Sequence, residues 1–159
     1  MAVRAEIRAE GVERLTSRLA QKYEALRRIL DQALLQVCEE AVTYSKENKG
    51  YKDRTANLKN SISYALFFDG QLVQMHEGRI PKPEEAEGGQ SHVTARINEY
   101  ISQQDVVAPT GYTLVIVAGM NYGIHVEHKG YNVLHMTKYY LADELRKAVE
   151  EALEIVSGI

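Results

Sequence analysis

The feature that most constrains the fold is an uninterrupted apolar stripe from Val12 to Tyr44. Apolar side chains recur there every three or four residues, which is the repeat of one face of an α-helix. No Pro or Gly interrupts the stretch, so a single long helix is predicted. The face is wide enough to pack on a sheet, and its heptad-like spacing also permits packing on a helix of another subunit. Cys38 lies inside the pattern and is expected to be a small buried side chain rather than a nucleophile.

A strand-rich region follows this helix. Ser61–Phe68 and Gln71–Met75 flank Asp69-Gly70, a strong signal for a β-hairpin. Tyr112–Ala118 is apolar on both faces, which predicts a central strand, and Tyr122–His128 is predicted to be the next strand.

A second amphipathic helix is predicted from about Leu134 to Val156, with Thr137 as one candidate N-cap. The expected fold is therefore α+β: a long N-terminal helix and a C-terminal helix packed on a small, mainly antiparallel sheet of about four strands.

The chain of 159 residues is expected to form a single domain, 1–159, with an excursion at about 77–105. Pro, Gly and Glu dominate residues 77–92, a composition typical of loops that stay out of a core. A short helix is expected from Thr94 to Gln103, with Ile97, Tyr100 and Ile101 on one side.

Composition excludes several classes of function. The net charge is −3, so no basic field is available for nucleic acid, and nucleic-acid binding is not expected. No apolar run approaches the roughly 18 residues that a membrane span needs, so no membrane association is expected. With one cysteine the chain forms no intrachain disulfide and needs no oxidising compartment.

No catalytic constellation is visible, so we expect no enzymatic activity and no cofactor. One cluster suggests a metal: His125, Glu127, His128 and His135. On a strand, His125 and Glu127 would share one face, as a metal-binding pair requires. His128 would point to the opposite face, and the chain would have to bring His135 back to the pair. A metal-binding module or metal-dependent enzyme is therefore the alternative to a structural role.

Two polar segments frame the predicted sheet region. The first, Asp53–Ile62, reads Asp-Arg-Thr-Ala-Asn-Leu-Lys-Asn-Ser-Ile. Its Asp and Thr side chains are suited to capping a short helical turn, and Leu58 and Ile62 are expected to anchor it in the core. The second, Tyr122–Gly130, reads Tyr-Gly-Ile-His-Val-Glu-His-Lys-Gly.

In this order, the two segments resemble a tail-component family of tailed bacteriophages, whose members are also called neck, head–tail connector or tail-completion proteins. The family pattern is approximately Thr-Gly-x-Leu-x-x-Ser-Ile, then Tyr-Ala-x-x-Val-Glu-x-Gly, then an amphipathic helix. This chain departs from it in having Asn57 or Ala56 where the family often has Gly, and by one extra residue between Glu127 and Gly130. The residues that we assign to the structural motif are Asp53, Thr55, Asn57, Leu58, Ser61, Tyr122, Gly123, Glu127 and Gly130.

The resemblance implies a non-enzymatic structural protein of a phage or prophage, placed at the head–tail joint. It implies self-association, in a ring for example, and contacts with portal or connector and tail-tube proteins. The expected location is the virion, or the host bacterial cytoplasm during assembly. Tyr122 and Glu127 would then be structural. A third interpretation is an adaptor that binds its partner through the helix face from Val12 to Tyr44.

Overall fold

The structure is a computed structural model that describes residues 9–103 and 106–158. Within these residues there are five α-helices, one 3-10 turn and three strands, and none of the helices is both long and apolar enough to cross a membrane. The elements are α1 Ala9–Glu47, α2 Asn57–Asn60, β1 Ile62–Phe68, β2 Gln71–His76, a 3-10 turn Pro83–Glu85, α3 Gly89–Ile101, β3 Tyr112–Ala118, α4 Gly123–His128 and α5 His135–Ser157.

The sheet has three antiparallel strands in the order β2-β1-β3. The predicted hairpin is confirmed: Asp69 and Gly70 both have positive φ, as a tight two-residue turn requires. The expectation of about four strands is wrong by one. The central position predicted for Tyr112–Ala118 is also wrong, because β1 is central and β3 lies at the edge. The central strand is the one buried along almost its whole length.

The predicted long helix packs on one face of the sheet through its C-terminal half. Leu34, Cys38 and Val42 contact the β1 side chains that point to this face. Cys38 is fully buried, as predicted, and this burial raises the pKa of its thiol to about 12.

α5 runs antiparallel to α1. The rings of Tyr44 and Tyr140 stack with centroids 4.3 Å apart, and Val156 lies beside Lys22 and Ala25. The C-terminal helix therefore lies mainly along α1. It reaches the apolar cluster between α1 and β1 through two residues: Leu145, and Leu134 just before the helix begins.

The other face of the sheet is covered by the Pro/Gly/Glu-rich excursion. The composition of residues 77–92 predicted a loop without core burial, but Ile80 within it is buried. Val93 and Ile97 on α3 are buried beside it, and Ile97 was expected on the apolar side of the short helix. α3 begins at Gly89, earlier than the expected Thr94. Because the excursion covers this face, β1 and β3 carry apolar side chains on both sides.

The predicted strand Tyr122–His128 is wrong, since Gly123–His128 form the short helix α4. The segment is too short for its apolar spacing to separate a strand from a helix. Thr137 is not the N-cap of the last helix: α5 begins at His135, and Thr137 is a buried residue of its first turn.

Candidate functional site

The two polar segments meet at one place, which we call the motif junction: residues 51–62 and 120–137. The first segment forms α2, and two side chains satisfy the amides of its first turn. The Thr55 hydroxyl accepts a hydrogen bond from the Asn57 amide at 3.2 Å, and the Asp53 carboxylate accepts one from the Lys59 amide at 2.9 Å. These amides have no partner within the helix, so the two side chains stabilise the turn.

Ala56, directly after Thr55, adopts the left-handed backbone conformation with φ 61°. Residues with a Cβ are strained there, whereas glycine is not. Ala56 is one of the two residues, with Asn57, that the sequence comparison placed at the glycine of the family pattern.

The two segments touch through Leu58 and Gly123. Leu58 is almost completely buried. A Cβ built on Gly123 would lie 3.1 Å from Leu58 Cδ1, tighter than ordinary packing. Ser61 closes α2 by donating its hydroxyl proton to the Leu58 carbonyl at 2.7 Å, and its own carbonyl accepts the Gly119 amide at 3.2 Å. The end of α2 is thereby fixed to the end of β3.

Asn57 is buried and fastens the excursion to this junction. Its amide side chain donates to the Lys82 carbonyl at 2.8 Å and accepts from the Lys82 amide at 3.0 Å. These two hydrogen bonds give the side-chain nitrogen and the side-chain oxygen of Asn57 a partner each, as a buried amide requires.

Two tyrosines line the polar side of the junction. Burial raises the pKa of Tyr122, as does the nearby Asp53 carboxylate, whereas a hydrogen bond with Thr55 lowers it. Burial also raises the pKa of Tyr51, followed by the charges of Asp53, Tyr122 and Glu127. Both phenols are therefore neutral near pH 7. Tyr122 hydrogen-bonds with Thr55, whereas the buried Tyr51 hydroxyl has no hydrogen-bond partner among the described residues and acts here as a packing group.

Glu127 joins α4 to the start of α5. Its carboxylate accepts three backbone amides, from Val133 at 2.9 Å, Leu134 at 2.8 Å and His135 at 3.2 Å. An anion at this position also interacts favourably with the dipole of α5. Glu127 therefore has the geometry of a helix cap supplied from a neighbouring helix.

Asn132 completes this cap, although the sequence interpretation did not include it. Its side-chain oxygen accepts the Met136 amide at 2.9 Å, and its side-chain nitrogen donates to the Asn48 carbonyl at 2.8 Å. The end of α1 is thereby tied to the start of α5. An Asn just before an amphipathic run is a recognised N-cap signal, and this signal was available in the sequence.

Gly130 lies at the exposed end of the second segment, away from the contact between Leu58 and Gly123. Its φ of 82° is the conformation that terminates a helix, and its amide bonds to the Glu127 carbonyl at 2.9 Å. Its role is local: it ends α4 and turns the chain toward α5.

The proposed metal ligands are not brought together. His125 and His128 are exposed on α4, which is not the strand that their alternation required. Glu127 is engaged with three amides, and the His135 ring packs edge-on against Tyr139. Across residues 9–103 and 106–158 there is no group of three His, Cys, Asp or Glu side chains suited to a metal.

Comparisons with known proteins give no relative: no family model, curated protein or solved structure matches the chain.

Proposed function

We propose that this chain is a non-enzymatic structural protein of a tailed phage or prophage that acts at the head–tail joint. In this role it assembles into a ring and contacts portal or connector proteins on one side and tail-tube proteins on the other. The observation that supports the proposal best is the packing of Gly123 on Leu58. It joins the two segments of the resemblance, which lie more than 60 residues apart in sequence.

Two further features of the motif junction support it. The left-handed backbone of Ala56 gives a physical reason for the glycine of the family pattern. The bonds made by Glu127 give a structural reason for the glutamate, because that side chain holds the start of the C-terminal helix. In both cases a motif residue is explained by the needs of the fold, without any chemistry on a substrate.

Light scattering across a concentration series, with negative-stain images of the same sample, is the first test. Closed rings, or a defined oligomer that forms with portal or tail-tube protein, are the expected result. A deletion in the phage that carries the coding sequence supplies the biological test. Complete heads and complete tails that fail to join are expected, and normal infectious particles from the deletion strain would refute the proposal.

A further inference from the structure

The N-terminal part of α1 extends past the sheet and presents unpartnered apolar side chains. Val12, Leu15, Leu19 and Tyr23 follow one another at helical spacing and are each 47–59% exposed. Leu153 on α5, at 52% exposure, lies one turn before Val156, which lines one pocket with Arg18 and Lys22 of this part of α1. We call these five residues the overhang face.

A second apolar surface lies beside the free edge of β3. It is a groove of about 410 Å³ between the ends of α3 and β3, α4 and the start of α5. It is lined by Ile116, Val117 and Ala118 at the end of β3, and its exposed large apolar residues are Tyr100 and Ile124. Glu127, His135 and Lys138 also line it and add charge or polarity. We call it the edge groove.

The edge of the sheet at this groove lacks the usual protection against association. Exposed edge strands commonly carry a bulge, a proline or a charged residue, or are covered by a helix. β2 carries a bulge at Val73, where the register slips between Leu66 and Phe67. β3 pairs with β1 without interruption over seven residues and contains no charge or proline. A helix laid beside it would provide the missing cover.

The two surfaces are too far apart to cover each other within one molecule. The edge groove borders the start of α5, which lies at the C-terminal end of α1 because Tyr140 stacks on Tyr44. From Tyr23 to Tyr44 the helix rises about 30 Å. Contact between the surfaces therefore requires two copies.

We propose that the overhang face of one copy seats in the edge groove of the next copy, in a head-to-tail contact. The five residues of the overhang face leave on the order of 400 Å² of apolar surface accessible to solvent. This area is within the range of the largest apolar patch on a typical monomer, and it is about half of the area that one partner buries in a standard interface. The contact therefore belongs to the small, weak or transient class of interface, which forms only at high local concentration. The preference for head-to-tail over face-to-face contact rests on the proposed ring, since only unlike surfaces build rings of many members.

The test uses exposed positions, so that the fold is retained. L15E/L19K places an i,i+4 ion pair on the overhang face, and I124E places a charge at the edge groove. L72K on β2 is the matched control, because Leu72 is an apolar residue of similar exposure outside both surfaces. Circular dichroism checks the fold of each variant, and sedimentation measures its mass from micromolar to millimolar concentration.

The wild-type chain is expected to associate, and each interface variant to weaken the dissociation constant by roughly 30-fold or more, with L72K unchanged. Mixing L15E/L19K with I124E should restore a one-to-one dimer, because each variant keeps one intact surface. A wild-type chain that stays monomeric at millimolar concentration overturns the proposal. So does loss of association in L15E/L19K without any effect of I124E, which would indicate face-to-face pairing.

The result also separates this inference from the proposed function. Closed rings whose mass neither variant changes would leave the function standing and refute the contact. Head-to-tail chains that both variants block, but that never close and never bind portal or tail-tube protein, would support the contact and refute the function.

Discussion

Removing the Glu127 carboxylate is expected to destabilise the protein more than any other single change at the motif junction that leaves packing intact. Glu127→Ala takes the acceptor from three amides at once. Val133 is buried and Leu134 half-buried, so water cannot fully replace the lost bonds there, whereas His135 is exposed and can be solvated.

The magnitude follows from these three amides. A buried amide left without an acceptor lowers the free energy of unfolding by about 1–3 kcal/mol, and loss of a helix cap lowers it by about 0.5–2 kcal/mol. The two effects overlap because the same amides are counted in both. We therefore expect a loss of about 3 kcal/mol in the free energy of unfolding. For a domain of this size that lowers Tm by about 6–12 °C. Glu127→Gln keeps one acceptor oxygen but loses the charge, so about half of this loss is expected.

Urea denaturation followed by circular dichroism measures the effect, with an unchanged m-value as the sign that the native fold is retained. Glu151→Ala is the control, since this residue is an exposed glutamate later in α5, and it should stay within about 0.5 kcal/mol of the wild type. A Glu127→Ala protein that melts within about 1 °C of the wild type would show that the cap does not hold α5, and the reasoning would be refuted.

Three further outcomes are expected. Ala56→Gly should stabilise the protein by about 0.5–1 kcal/mol, because relief of the left-handed backbone strain exceeds the extra entropy of glycine in the unfolded chain. Ala33→Gly within α1 is the control, and in the same melt it should destabilise the protein by about 1 kcal/mol. Gly78→Ala should cost more than about 2 kcal/mol, since its Cβ would lie 2.3 Å from the Asn60 carbonyl oxygen; a melting temperature equal to the wild type would contradict this. Burial raises the pKa of Cys38 from 9.0 to about 12, so the contribution of this thiol to stability is complete below pH 9 and is lost as pH rises from 9 toward 12. Cys38→Ala should reduce the fall of stability over that range, and a wild-type thiol that reacts rapidly with a thiol reagent at pH 8 without unfolding would contradict the burial.

The long helices and the hairpin were predictable because their signals are local. The stripe from Val12 to Tyr44 repeats over many turns, and Asp69-Gly70 specifies a tight turn within two residues. By contrast, α4 spans only six residues, and its position depends on Gly123 packing against Leu58, a contact that no local pattern reveals.

The position of β3 was wrongly predicted for a related reason. Leu114 and Ile116 face α1, whereas Val115 and Val117 face the excursion, so an edge strand is apolar on both sides. The buried residues that cover it were predictable only in part: Ile97 was expected on the apolar side of a short helix, whereas Val93 lies just before that predicted helix, among polar side chains. Within the junction, the capping residues of α2 were recognisable as turn formers, but the bonds from Asn57 to Lys82 depend on the tertiary fold.

The division of α1 into a buried half and an overhang has a consequence for local opening. Residues around Leu34–Val42 are covered by the sheet, so their amides should exchange with solvent only when the whole protein unfolds. Amides between Val12 and Leu19 lack such cover, and a helical segment of this length is marginal on its own, so they should exchange by fraying. One continuous helix thus has two exchange regimes, and a neighbouring copy seated on the overhang would convert the fast regime into the slow one.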